Sequence, residues 1–320
     1  MVSPRALITG STGQDGSYLQ EMLLADGYDI HVFVRRHDTE AEALDSGVTT
    51  HFGDLADDES IRKAVDASEP DVIFNLGGIS SVAASWGAPT RTAVVTGAAT
   101  AELLEGAWRL QERLGRPVKF VQASSAEIFG ISRDNPQTET SVVRPVNPYG
   151  AAKAYAHHMV AMYRNRGLHS SAAILFNHES PRRPEQFVTR KITLGVAKIA
   201  AGLQDTLRLG NLDVRRDWGW APDYVDAMIR MSSTEAADDY VVATGESHSL
   251  REFVQAAFES AGIHDWERYV LLDPTLARPA DAPEMRGDPA KAALTLGWRP
   301  TVPFFEIASR MVQNDLKIVT

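Results

Sequence analysis

The sequence predicts an α/β protein: a Rossmann-type, doubly wound parallel sheet with a smaller C-terminal lobe. Three observations predict it. Short β-branched runs alternate with helical stretches through the first half of the chain, the pattern of parallel strands joined by crossover helices. The glycine-rich turn Gly10-Ser11-Thr12-Gly13-Gln14-Asp15-Gly16 separates the first such run from the first helical stretch. The alternation then stops after Asn177, where Pro181, Arg182, Arg183 and Pro184 interrupt it.

Taken in order, residues 6–9 read as the first strand and 17–26 as the helix after it, with Leu19, Met22, Leu23 and Leu24 as its apolar positions. Further strands are expected at 30–34, 71–75, 118–122 and 172–176, with a third strand ending at Gly53-Asp54. Helices are expected at 59–67, 98–114 and 148–167, and a long one at 188–202 precedes the turn-rich stretch 210–222. The pattern returns briefly to the sheet at 223–244 and leaves it again from Leu250. The partition is therefore 1–176, with the return at 223–244, for a dinucleotide-binding domain, and 177–222 plus 245–320 for a substrate lobe.

Composition narrows the function. A chain of 320 residues with 44% hydrophobic and 23% charged content has enough apolar material for one large core and a lesser one. Cysteine is absent, which excludes disulfides and thiolate chemistry and suits a reducing cytoplasm. No apolar run approaches the ~20 residues of a membrane span, and no charged-then-apolar start resembles a signal peptide. A formal net charge of -10 repels polyphosphate backbones, which argues against nucleic acid. The expectation is a soluble cytoplasmic protein with neither a membrane nor a nucleic-acid partner.

The glycine turn lets the backbone approach a pyrophosphate at a helix N-terminus, so Gly10, Thr12, Gly13, Gln14 and Asp15 are expected to hold a dinucleotide. An acidic residue at the end of the second strand would take the ribose hydroxyls of NAD. This chain instead has Arg35-Arg36, whose guanidiniums suit a 2′-phosphate and therefore NADP. Two arginines on an exposed strand end are the plainer reading. Asp54, followed by Leu55, stands where a carboxylate accepts from the adenine amino group, although an ordinary turn aspartate would also fit there. Leu76 and Gly77 close the fourth strand, with Ser80 just beyond, where small residues admit the cofactor or merely close a turn.

Ser124-Ser125-Ala126-Glu127 ends the fifth strand at the carboxyl edge of the sheet, where open α/β sheets bind ligands. Tyr149 and Lys153 are four residues apart on one helix face. Ser125 is expected to orient a substrate oxygen and Tyr149 to serve as a phenolate base. Lys153 would hold the nicotinamide ribose and lower a phenol pKa that is ordinarily about 10. Glu127 adds a second base, which points to chemistry beyond simple oxidation. No metal is expected: His157 and His158 are adjacent on a helix and diverge by about 100°.

At these residues the chain resembles the extended short-chain dehydrogenases/reductases that act on nucleotide sugars, and within them the GDP-mannose 4,6-dehydratase group. The resemblance runs from about Ala6 to Leu316. Its most specific stretches are Ala-Leu-Ile-Thr-Gly-Ser-Thr-Gly-Gln-Asp-Gly-Ser-Tyr-Leu at 6–19, Asn-His-Glu-Ser-Pro-Arg-Arg at 177–183, and residues 187–191, 210–219, 287–289 and 296–298. It implies that Ser125, Glu127 and Tyr149 are catalytic with Lys153 assisting, and that His178 and Arg183 touch NADP. It also implies that Ser81, Asn177, Val188, Lys191, Arg216, Arg278 and Asp281 join Ser125 and Glu127 in holding GDP-mannose or a similar nucleotide sugar. The implied reaction is C4 oxidation, loss of water across C5 and C6, and hydride return to C6. A GDP-4-keto-6-deoxymannose reductase, an epimerase, or an NADP-binding regulator without turnover are the competing readings.

The chain departs from that group at Gly78-Ile79-Ser80-Ser81, at Arg91 and Phe129 where tyrosines are usual, and at Asp281 in place of a glutamate. Residues 37–51 are also shorter than the loop that helps the dehydratases form tetramers. A homodimer built on the helices around Thr100 and Ala154 is expected, with a homotetramer as the alternative.

Overall fold

The computed structural model describes residues 3–36, 47–276 and 281–319. Arg278 and most of the shortened 37–51 segment lie outside the described residues. The central sheet contains β1 (Arg5–Thr9), β2 (Asp29–Val34), β3 (Val48–Phe52), β4 (Val72–Asn75), β5 (Lys119–Ala123), β6 (His169–Leu175) and a last strand, Asp239–Val242. Their order is Asp239–Val242, β6, β5, β4, β1, β2, β3, and every pairing is parallel. Connections run outward in opposite directions from β1, so a crevice opens beyond the carboxyl ends of β1 and β4, the place where such sheets take ligands.

Both faces of the sheet are covered, which is why its strands read as near-continuous apolar runs. In β1, Ala6 and Ile8 join a core with Leu19 and Leu23 of α1 (Gln14–Ala25), whereas Leu7 faces the opposite core with Ile61 of α2 (Asp58–Ser68). The chain then forms α3 (Val82–Gly87), α4 (Pro89–Thr92), a π-helical turn Ala93–Ala98, α5 (Ala99–Leu114) and α6 (Pro148–Asn165). Leu103 and Leu104 of α5 and Val160 of α6 complete the second face. Next come α7 (Val188–Ala200) and α8 (Ala221–Ser233), and Tyr224, Val225 and Met228 of α8 return to the first face.

A separate apolar core gathers Ile192 and Val196 of α7, Phe253 of helix Leu250–Ser260, and Ile307 and Met311 of helix Phe304–Val319 around Trp218. The chain thus leaves the sheet after β6, returns through α8 and Asp239–Val242, and leaves again.

Three details differ from the sequence reading. Helix α1 begins at Gln14, not at residue 17, because Gly13 already acts as its N-cap. The unbroken helical run that contains α5 begins at Pro89, not at 98. The stretch 210–222 is not only turn: it contains the strands Arg215–Arg216 and Trp218–Trp220, the second paired with Asn177–Glu179. Such short strands carry too few alternating positions to show in a sequence. Among the described residues no helix is long and apolar enough to cross a membrane.

Candidate active site

The glycine turn is built by backbone contact. Gly10 has φ +69°, a left-handed conformation that side chains disfavour, and a Cβ on Gly16 would lie 2.2 Å from the Gly10 carbonyl oxygen. The N-terminus of α1 is thereby held against the end of β1, with its first N–H groups at the crevice. The second limb of the site, Asn177–Glu179, is stitched to this turn by Gln14. Its Nε2 donates to the His178 carbonyl at 3.2 Å, and its Oε1 accepts from the Ser180 hydroxyl at 2.9 Å.

Asp15 and His178 form a buried pair, Oδ2 to Nε2 at 2.8 Å, while His178 Nδ1 donates to the Phe176 carbonyl at 2.7 Å. Both ring nitrogens therefore face acceptors, which favours the imidazolium. Burial pulls the His178 pKa down, but the charge and hydrogen bond of Asp15 outweigh it and leave it above its ordinary value. Burial likewise pushes Asp15 up, and His178 brings it below the usual carboxylate range. Arg183 stands alongside, its guanidinium 3.8 Å from the centroid of the Phe187 ring.

At the end of β5, Ser125 Oγ accepts from the Glu127 N–H at 3.2 Å and starts a 3-10 turn, Ala126–Ile128. That turn sets Glu127 beside α6, where Asn147 Nδ2 donates to its Oε2 at 2.8 Å. Asn147 is also the N-cap of α6, and Pro148 occupies the first turn; Tyr149 and Lys153 follow on the buried face. Lys153 Nζ donates to the Ala123 carbonyl at 2.6 Å.

The sequence reading has Lys153 lower the Tyr149 phenol, and the structure corrects this. Burial, with the nearby Glu127 and Asp15 charges, pushes the phenol up to about 12, against the pull of a Ser125 hydrogen bond and of Arg183. Lys153 is itself brought down to about 8 by burial and lies 5.8 Å from the tyrosine ring centroid. Helical spacing places the two residues on one face but carries no information about how dry that face is.

These groups open into one cleft of about 420 Å³. Of the sequence-predicted residues, Asp15, Leu76, Ser80, Ser81, Ser125, Glu127, Tyr149, Lys153, Asn177, His178, Arg183, Val188 and Lys191 line it. Gly10, Thr12, Gly13 and Gln14 form the adjoining turn. Gly77 packs against Leu55 and Thr9 so closely that a Cβ would lie 2.7 Å from Leu55 Cδ1.

Arg35 and Arg36 are exposed at the end of β2, the latter's guanidinium 5.7 Å from the Phe52 ring centroid. Asp54, its side chain 41% exposed, already holds two partners. Arg91 Nη2 reaches both its oxygens, at 3.0 and 2.9 Å, and the Ala56 N–H reaches Oδ1 at 2.8 Å. Arg216 and Asp281 do not line the cleft. Arg216 is buried and directs its fork to Asp281 and to the carbonyls of Arg215 and Ala282, because a buried guanidinium must spend its donors on whatever acceptors enclose it.

Sequence reasoning did not find Asn147, the Arg91–Asp54 pair, or Gln186, Phe187 and Leu276 of the cleft wall. Asn-Pro ahead of a helix is a start signal that marks Asn147. The others carry no local signal. Among the described residues no group of His, Asp or Glu has the arrangement of a metal site.

A model of the GDP-mannose 4,6 dehydratase family matches residues 7–311. The chain is 43% identical to GDP-mannose 4,6 dehydratase 1 of Arabidopsis thaliana, over 99% of this chain and 92% of that protein. It is 40% identical to the GDP-mannose 4,6 dehydratase of Homo sapiens, over 100% of this chain and 94% of that protein. Its fold superposes on the UDP-glucose 4-epimerase of Thermus thermophilus, solved in complex with NAD, with a TM-score of 0.84 at 27% identity, over 97% of this chain and 98% of that one.

Proposed function

Because the chain belongs to the GDP-mannose 4,6 dehydratase family, we propose that it converts GDP-mannose to GDP-4-keto-6-deoxymannose with a bound NADP. The observation that carries this reading is the convergence of Ser125, Glu127, Tyr149 and Lys153 on one cleft beside the glycine turn.

The residues fit a nicotinamide dinucleotide. The turn at Gly10 and Gly16 has backbone where a Cβ would stand, and at the cleft Ser124 Oγ is buried without a protein partner. Gly10, Thr12, Gly13, Gln14 and Asp15 would hold the pyrophosphate side, with His178 and Arg183 nearby, and Leu55, Leu76, Gly77 and Ser80 would bound the dinucleotide. Lys153 would take the nicotinamide ribose, and Arg35 and Arg36 a 2′-phosphate, which selects NADP over NAD. When bound, the oxidised nicotinamide supplies the hydride acceptor for C4, the hydride donor for C6, and a positive charge that favours the Tyr149 phenolate.

Ser125 hydrogen-bonds the 4-hydroxyl and Tyr149 accepts its proton. The resulting ketone acidifies C5, and Glu127 takes the C5 proton and hands it to the departing 6-hydroxyl, which leaves as water. C5 then regains a proton that balances the one Tyr149 took. Val188 and Lys191 would hold the GDP portion, with Ser81 and Asn177 nearer the sugar. Arg216 and Arg278 are assigned to the diphosphate and Asp281 to a ribose; for Arg216 this requires that substrate displace its bond to Asp281.

We also infer a cytoplasmic homodimer through α5 and α6, in keeping with the exposed Tyr155 and Met162 on α6. Sedimentation at micromolar concentration checks it, and a monomer would overturn it. For the reaction, the protein is incubated with GDP-mannose and NADP and the products are weighed by mass spectrometry. Loss of one water without net reduction is expected. One-for-one consumption of NADPH with a keto sugar would replace the dehydratase by a reductase.

A further inference from the structure

Asn147 is buried, 5% exposed, and its two amide ends are spoken for by different parts of the site. Its Oδ1 accepts from the Gly150 N–H at 2.8 Å, closing the first turn of α6. Its Nδ2 donates to Glu127 Oε2 at the same distance. The orientation is unambiguous: an N–H can only donate, so it must face the amide oxygen, and the carboxylate then receives the amide nitrogen.

The surrounding backbone leaves little play. A Cβ on Gly150 would lie 2.5 Å from the Glu127 carbonyl oxygen, so the start of α6 rests directly on the Glu127 turn. Ser125 Oγ pins that turn from its other side through the Glu127 N–H. What remains adjustable is the Glu127 side chain, and Asn147 grips it.

We propose that Asn147 is a positioning residue that aims the Glu127 carboxylate at the sugar and, with the same amide, fixes the helix start that carries Tyr149. It holds the base and the phenol in one frame, so the proton at C5 and the proton at the 4-hydroxyl are met without re-sorting of side chains. This inference rests on the role proposed for Glu127.

The test uses variants that keep the helix cap. Asn147→Ser retains a good N-cap but lacks the reach to Glu127. It should bind NADP and reduce it at C4 in a single turnover as the unmodified enzyme does, while exchange of solvent deuterium into C5 falls by about tenfold or more. Asn147→Asp keeps the cap acceptor and sets a second carboxyl against Glu127. Like charges resist joint ionisation, so the acidic limb of the pH profile for C5 exchange should move to higher pH by about one unit or more. The inference is overturned if the Asp variant leaves that limb in place, or if C4 reduction and C5 exchange decline in parallel in the Ser variant, the signature of a helix cap alone. Absence of C5 exchange in the unmodified enzyme would instead remove the proposed reaction.

Discussion

The two walls of the cleft are built in different ways. The wall made by β1, the glycine turn and α1 is shaped by main chain: the Gly10 carbonyl, the Gly16 Cα and the α1 N–H groups sit where no side chain could intrude. The wall contributed by the second lobe is shaped by side chains that hold one another, Arg183 being paired with Glu179 and stacked on Phe187. A wall of backbone has one conformation, whereas a wall of ion pairs has alternatives that a ligand can select. The first suits a cofactor that stays bound through the cycle, the second a substrate that must enter and leave.

The largest test of this contrast cuts the chemistry along the same line. Glu127→Gln keeps size and most hydrogen bonding but cannot act as a base. The variant should still reduce bound NADP on addition of GDP-mannose and then stall, with a persistent NADPH absorbance and turnover lowered by about 100-fold or more. Normal turnover would remove Glu127 from the mechanism. Next in size, replacing both Arg35 and Arg36 by Ala should weaken NADP relative to NAD by roughly 2 to 4 kcal/mol if two charge-assisted contacts are lost. Equal affinity of the unmodified protein for both dinucleotides would defeat the assignment. A smaller effect is expected where the wall is pure backbone. Gly16→Ala forces a methyl onto the Gly10 carbonyl and should cost about 1–3 kcal/mol in stability, with weaker cofactor binding. A thermal midpoint unchanged by the substitution would show that the turn yields.

The same contrast decides what the sequence reveals. That the glycine turn, Ser125, Tyr149 and Lys153 meet around one cleft is legible because each depends on local spacing, and the strands are legible because both faces of the sheet are buried. What the sequence hides is the partner of a guanidinium or carboxylate, which leaves no local mark: Asp54 meets Arg91, 37 residues away, and Arg216 meets Asp281, 65 away. The dryness around Tyr149 is hidden for the same reason, since it is set by the packing of distant segments.

The smallest predicted effect lies where the two walls touch, at Asp15 on α1 and His178 on the second limb. Raising the His178 pKa above its ordinary 6.5 means that the folded protein holds this proton more tightly than the unfolded chain. Its contribution to stability is therefore complete below pH 6.5 and is lost as pH rises through the higher folded value. Asp15, lowered from 3.8, contributes fully above that pH and loses its share as pH falls through the lower folded value. The pair should thus stabilise the ligand-free protein most between about pH 4 and 6.5 and less above neutrality. Lys153 titrates nearby with the opposite sense, its pKa brought down to about 8, so the informative quantity is a difference between proteins. Thermal midpoints of the unmodified protein and His178→Gln, recorded from pH 6 to 9, should converge as pH rises. A gap that stays constant across that range would mean that His178 is held neutral, and that the contact between the walls is a plain hydrogen bond with no charge to lose.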